Sequence, residues 1–132
     1  MTKRVLDVGQ CSPDHAAIRR LLQRSLSAEV VQAHGPADAL AQLRREPFAL
    51  VLINRKLDAD YSDGMEILRA IKADAALAGV PVMLVSNYAD AQAAAVAEGA
   101  IAGFGKAEIG RPETLEKLRA ALEGNGETMN DK

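Results

Sequence analysis

The sequence predicts an α/β chain: five parallel strands in one sheet, doubly wound, with helices on both faces. Three observations carry that prediction. Short apolar runs alternate strictly with longer stretches of helical period, the runs are apolar at nearly every position, and Gly- or Pro-containing joins separate them. A strand that is apolar on both faces must be buried on both, and parallel sheets with helical crossovers do this.

RVLDV at 4–8 is the first strand. Ser12, Pro13 and Asp14 then supply an N-cap, a first-turn proline and an acid that suits the helix dipole, opening a helix at 13–26. Ile18, Leu21 and Leu22 form its apolar stripe. EVVQA at 29–33 is the second strand; Gly35-Pro36 turns the chain into a helix at 37–45. ALVLI at 49–53 is the third strand, and Met65, Leu68 and Ile71 mark a helix at 64–75. Gly79 and Pro81 precede a fourth strand, VMLV at 82–85, followed by an alanine-rich helix at 90–98. AIAGF at 100–104 is the fifth strand, and Arg111-Pro112-Glu113 starts the last helix, 112–122. The domain is expected to span 1–123, with a polar, frayed tail at 124–132.

The 132 residues, 48% of them hydrophobic, match one domain with a full core. A net charge of −2 gives no general attraction to nucleic acid or to anionic lipid. The single cysteine, Cys11, cannot form an internal disulfide, and no Cys/His spacing suggests zinc. Only Val5 and Leu6 separate Arg4 from Asp7, too few for a signal-peptide core, and no apolar run approaches the roughly 20 residues that span a bilayer. A cytoplasmic protein without nucleic-acid or membrane partners is expected. Met1 stands close to the first strand and the chain stops soon after the last helix, so no output domain is expected on it.

Neither of the glycine-rich phosphate loops, G-x-x-x-x-G-K-[ST] and G-x-G-x-x-G, occurs after the first strand, and there is no G-x-S-x-G elbow. Enzymatic activity and a cofactor are therefore not expected.

The third strand FALVLIN, the helix start DGMEILRAIK, the fourth strand PVMLVS and the segment AEGAIAGFGKA together resemble the response-regulator receiver domain. That resemblance covers the chain from Lys3 to about Glu123. It implies a flavodoxin-like (βα)5 three-layer sandwich with strand order 2-1-3-4-5. It also implies two acids ending the first strand that hold Mg²⁺, together with an aspartate ending the third strand that takes the phosphoryl group. On this chain those positions fall on Gly9, Gln10 and Asn54. The family's hydroxyl and lysine are matched by Ser86 and Lys106, while the proline after the lysine is Ala107.

Mg²⁺ is a hard cation that requires charged oxygen ligands, and phosphoryl transfer relies on it to neutralise developing charge. Glycine offers no side chain, and neutral amides bind a dication far less well than carboxylates. The resemblance therefore points to an atypical receiver, a pseudo-receiver without phosphoacceptor or metal, which binds a signalling protein independently of phosphorylation. Oligomeric state is not fixed, and a homodimer stays open. Aspartate restored at 54 alone is expected to leave the site inert; aspartates at 9, 10 and 54 together are expected to restore Mg²⁺ binding. Two alternatives remain: a phosphorelay receiver using a displaced acid, Asp58 or Asp60, and a flavodoxin-fold enzyme or small-ligand binder using the crevice at the strand ends.

Asp7 interrupts the first strand, where an unpaired carboxylate is costly. Two resolutions are open: an ion pair with Lys106, admitted by the missing side chain at Gly9, or a partly wetted strand. Asp58, Asp60 and Ser62 begin like a calcium loop, but Asp63 stands where glycine is needed and Arg69 where glutamate is needed. Asp63 reads as a helix cap. The family's switch aromatic falls on Gly103, and Phe104 should face the other side of the sheet. Ser86 is then either a relic of the switch or a hydrogen-bonding loop residue. The fourth helix is either a close-docking surface or simply a good helix former, with Ala94, Ala95, Gly103 and Phe104 as the candidate partner surface. His15, Arg19, Arg20 and Arg24 read as a solvated basic face.

Overall fold

A computed structural model describes residues 2–130, with side chains through residue 123. Five strands, β1 (Arg4–Val8), β2 (Glu29–Ala33), β3 (Leu50–Asn54), β4 (Val82–Val85) and β5 (Ile101–Phe104), alternate with five helices. These are α1 (Ser12–Leu26), α2 (Pro36–Arg45), α3 (Met65–Ala73), α4 (Ala89–Ala97) and α5 (Pro112–Asn130). The strands form one sheet in the order β2-β1-β3-β4-β5, and every pairing is parallel. Expected and observed ends differ by one or two residues at most joins, where capping geometry decides the boundary. The last helix is corrected: α5 continues to Asn130, past the expected end at 122 and through most of the tail expected at 124–132, of which residues 131 and 132 lie outside the described residues.

Because side chains alternate across a strand, the apolar runs build two cores. Leu6, Val8, Val51, Ile53 and Leu84 meet α2, α3 and α4 on one face, and Val5, Leu50, Leu52, Met83 and Phe104 meet α1 and α5 on the other. Crossover connections from a central strand to either face leave the C-terminal strand ends open along one edge of the sheet.

The expected cap at Ser12 is corrected. Ser12 lies within α1; Cys11 is the N-cap and makes no side-chain capping bond, which leaves Pro13 and Asp14 to favour the first turn.

Candidate functional site

Parallel connectivity brings Gly9 and Gln10 after β1, Asn54 at the end of β3, Ser86 after β4 and Lys106 after β5 to this one edge. Asn54, Ser86 and Lys106 line a common cleft of about 450 Å³. Gly9 and Gln10 are buried beneath the edge.

Gly9 adopts φ +79°, a conformation that side chains disfavour. A Cβ there would fall 2.5 Å from Cδ2 of Leu57, which is itself buried. Leu57 thus fills the space in which a side chain at position 9 would have to stand. The loop is held over it by the Asp58 N–H, which donates to the Gly9 carbonyl at 2.9 Å. Nδ2 of Asn54 donates to the same carbonyl at 3.2 Å and to the Lys56 carbonyl at 2.7 Å. The sequence offered one signal for this plug, a lone leucine between Lys56 and Asp58 in an otherwise polar loop.

The three positions at which the resemblance expects acids are accordingly neutral, and the Asn54 amide is bonded to backbone carbonyls. An amide donating to two carbonyls presents no charged oxygen to a metal, and Gly9 and Gln10 add none, so the residues present do not fit a hard dication. Among the described residues, no group of three His, Cys, Asp or Glu is placed to hold a metal ion.

Asp7 is fully buried, so the partly wetted strand is corrected; so is the ion pair with Lys106. Oδ2 of Asp7 lies 2.7 Å from Nδ1 of His15 on α1, and Nζ of Lys106 lies 2.9 Å from Oδ2 of Asp14. Asp7 and Lys106 are drawn apart because the first turn of α1 presents two adjacent partners, one to each. Burial raises the Asp7 carboxyl from the ordinary 3.8 to about 6, and the hydrogen bond and charge of His15 offset part of the rise. Among the described residues, Oδ1 of Asp7 and both polar atoms of the Gln10 amide have no hydrogen-bond partner. Lys106 holds the Asp14 carboxyl below the usual carboxylate range. His15 is therefore no part of a solvated basic face; Arg19, Arg20 and Arg24 are exposed.

The acidic loop is tied up locally. Oδ1 of Asp60 accepts from the Ser62 hydroxyl at 2.6 Å and from its backbone N–H at 3.0 Å, and Oδ1 of Asp63 accepts from the Met65 N–H at 3.0 Å.

No protein-family model matches the chain, and no curated protein matches it. Solved structures do. A response regulator receiver domain protein (CheY-like) from Methanospirillum hungatei is 23% identical with a TM-score of 0.76, over 97% of this chain and 99% of that one. The signal receiver domain of a DNA binding response regulator from Colwellia psychrerythraea is 22% identical with a TM-score of 0.77, over 92% of this chain and 98% of that one. NtrX from Brucella abortus is 21% identical with a TM-score of 0.78; 98% of this chain matches, spanning 28% of the NtrX chain. The fold is that of receiver domains.

On this receiver fold the fifth-strand position expected to hold an aromatic is rebuilt around Gln92. β4 and β5 slip in register between Met83 and Val85, where Ile101 and Phe104 are their respective partners. A Cβ on Gly103 would overlap the Leu84 carbonyl oxygen. The Gln92 side chain bridges the irregularity: Nε2 donates to the carbonyls of Leu84 at 2.9 Å and Ser86 at 3.1 Å, and Oε1 accepts from the Gly103 N–H at 3.0 Å. The only visible signal was a polar residue within an alanine helix. Ser86 Oγ accepts from the Tyr88 N–H at 3.2 Å, the contact of a loop residue.

The candidate partner surface is corrected in three of its four members. Ala95, Gly103 and Phe104 are buried, because α4 packs Ala95 onto the sheet and Phe104 points into the α1/α5 core; Ala94 is exposed. Exposed apolar groups nearby are Val96 and Ile101.

Proposed function

We propose that this chain is a pseudo-receiver: a protein-interaction module in two-component-type bacterial signalling, cytoplasmic, that binds its partner without being phosphorylated. The observation that carries the reading is Asn54. At the strand end where the resemblance calls for a phosphoacceptor, its amide donates to the carbonyls of Gly9 and Lys56, beside a position filled by Leu57. An amide cannot form an acyl phosphate, and the site lacks the charged oxygens that phosphoryl transfer needs. A displaced acceptor is less well supported. Asp60 is bonded to Ser62, and Asp58 is exposed with only its backbone N–H engaged at the site.

The test is intact-mass analysis after incubation with acetyl phosphate and Mg²⁺. The mass should stay unchanged. A gain of one phosphoryl group that is lost in Asp58→Asn or Asp60→Asn would establish the displaced-acid receiver instead.

A further inference from the structure

Where the receiver resemblance would gather acids, this chain gathers cations. Arg55, Lys56 and Lys106 line the 450 Å³ cleft together with Asn54, Ser86, Asn87 and Tyr88, and among the described residues no carboxylate lines it. Lys106 is paired with Asp14, but neither Arg55 nor Lys56 has a carboxylate within ion-pair distance among the described residues. Asp63, Asp90 and Glu98 share a neighbouring cleft with Arg55; Glu98 is paired with Arg69, and none of the three lies within ion-pair distance of Arg55 among the described residues. Neutral donors are available too. The Ser86 hydroxyl accepts one bond and has a proton to give, and Asn87 uses its Oδ1 on the Ala107 N–H at 3.1 Å, which leaves its amide protons free. Tyr88, 69% exposed, adds an aromatic face at the rim.

Two cations without an ion-pair partner, Arg55 and Lys56, and a third shared with Asp14, lining a concave site with uncommitted N–H and O–H donors, attract anions; the volume lies within the range of small-molecule pockets. We propose that the cleft is a metal-free binding site for a small organic phosphate bearing a planar ring. Arg55, Lys56 and Lys106 would hold the phosphate, Ser86 and Asn87 would donate to its oxygens, and the ring would lie on Tyr88. Binding is non-covalent, since Asn54 offers no acceptor. The site goes beyond the proposed interaction role and does not depend on it.

The test follows amide NMR shifts of the full chain in EDTA at constant ionic strength, with phenyl phosphate, a nucleoside monophosphate and inorganic phosphate as probes. Saturable shifts at Lys56, Ser86, Asn87 and Lys106 are expected with at least one ring-bearing probe, half-complete at or below about 1 mM. The double variant Arg55→Ala/Lys56→Ala should weaken binding about tenfold or more, and Tyr88→Ala should bring the ring-bearing probe down to the affinity of inorganic phosphate. Because Arg55, Lys56 and Tyr88 are exposed, these variants leave the core untouched. Absence of saturation with every probe, equal affinity for all three in the wild type, or binding indifferent to the double variant would overturn the proposal.

Discussion

Replacing Asp7 with asparagine should make the protein more stable at neutral pH, although it alters a residue that hydrogen-bonds. The carboxyl is fully buried; Oδ2 is bonded to His15, and Oδ1 has no hydrogen-bond partner among the described residues. Its pKa is raised from 3.8 to about 6. At roughly 1.4 kcal/mol per pH unit, that rise corresponds to about 3 kcal/mol. Below pH 3.8 the folded and unfolded chains both carry the proton. Between 3.8 and about 6 the folded chain keeps a proton the unfolded chain has lost, so stability falls as pH rises, and the loss is complete above about 6. An amide at this position mimics the protonated acid and does not titrate. Urea denaturation of wild type and Asp7→Asn at pH 4, 5, 6 and 7 should therefore give similar stabilities at pH 4. By pH 7 the variant should lead by about 3 kcal/mol, or on the order of 1 to 3 M urea for a domain of this size. His15→Leu should carry the decline beyond pH 6 and deepen it, because the buried carboxyl loses the partner that offsets part of its rise. A wild-type advantage that grows toward pH 7 would refute the reasoning: the pairing with His15 would then outweigh the cost of burial.

Four further outcomes follow. Val51→Asp places a charge at a fully buried position of β3 and should cost about 4 kcal/mol or more in chemical denaturation. Gln92→Leu leaves the Leu84 carbonyl and Gly103 N–H without their side-chain partner, and should lower stability by about 2 kcal/mol and speed hydrogen exchange at Gly103. The triple change Gly9→Asp/Gln10→Asp/Asn54→Asp should lose roughly 2 kcal/mol or more and show no saturable Mg²⁺ shift, because position 9 is at positive φ and Leu57 occupies the space of its side chain; adding Leu57→Ala should relieve the overlap. Ala94→Arg, on the exposed face of α4, should keep stability within about 1 kcal/mol and weaken capture of a partner from the source cell, while Ala95→Arg should unfold the helix from the sheet. Equal thermal midpoints for these two arginine variants would show that α4 is oriented otherwise.

The alternation of apolar strands with amphipathic helices determined the parallel, doubly wound sheet, because a strand apolar on both faces has no other stable setting than between two layers of helices. The residue types at 9, 10 and 54 likewise spoke for themselves: whatever their surroundings, glycine and amides cannot supply charged oxygens. Partner choice was different. From the sequence, Asp7 could reach Lys106 or water, and only the tertiary arrangement turned His15 toward Asp7 and Asp14 toward Lys106. Adjacent residues on a helix diverge by about 100°, and which direction meets a given strand depends on how the helix is rotated on the sheet. The same holds for Leu57, which looks like a loop residue until the loop folds back over Gly9, and for Gln92, whose bonds exist only because β4 and β5 slip in register beside it. Local pattern fixes which elements form and which side of each is apolar. Pairings between polar groups depend on rotations and register offsets of a few ångströms, set by the packing of the whole core.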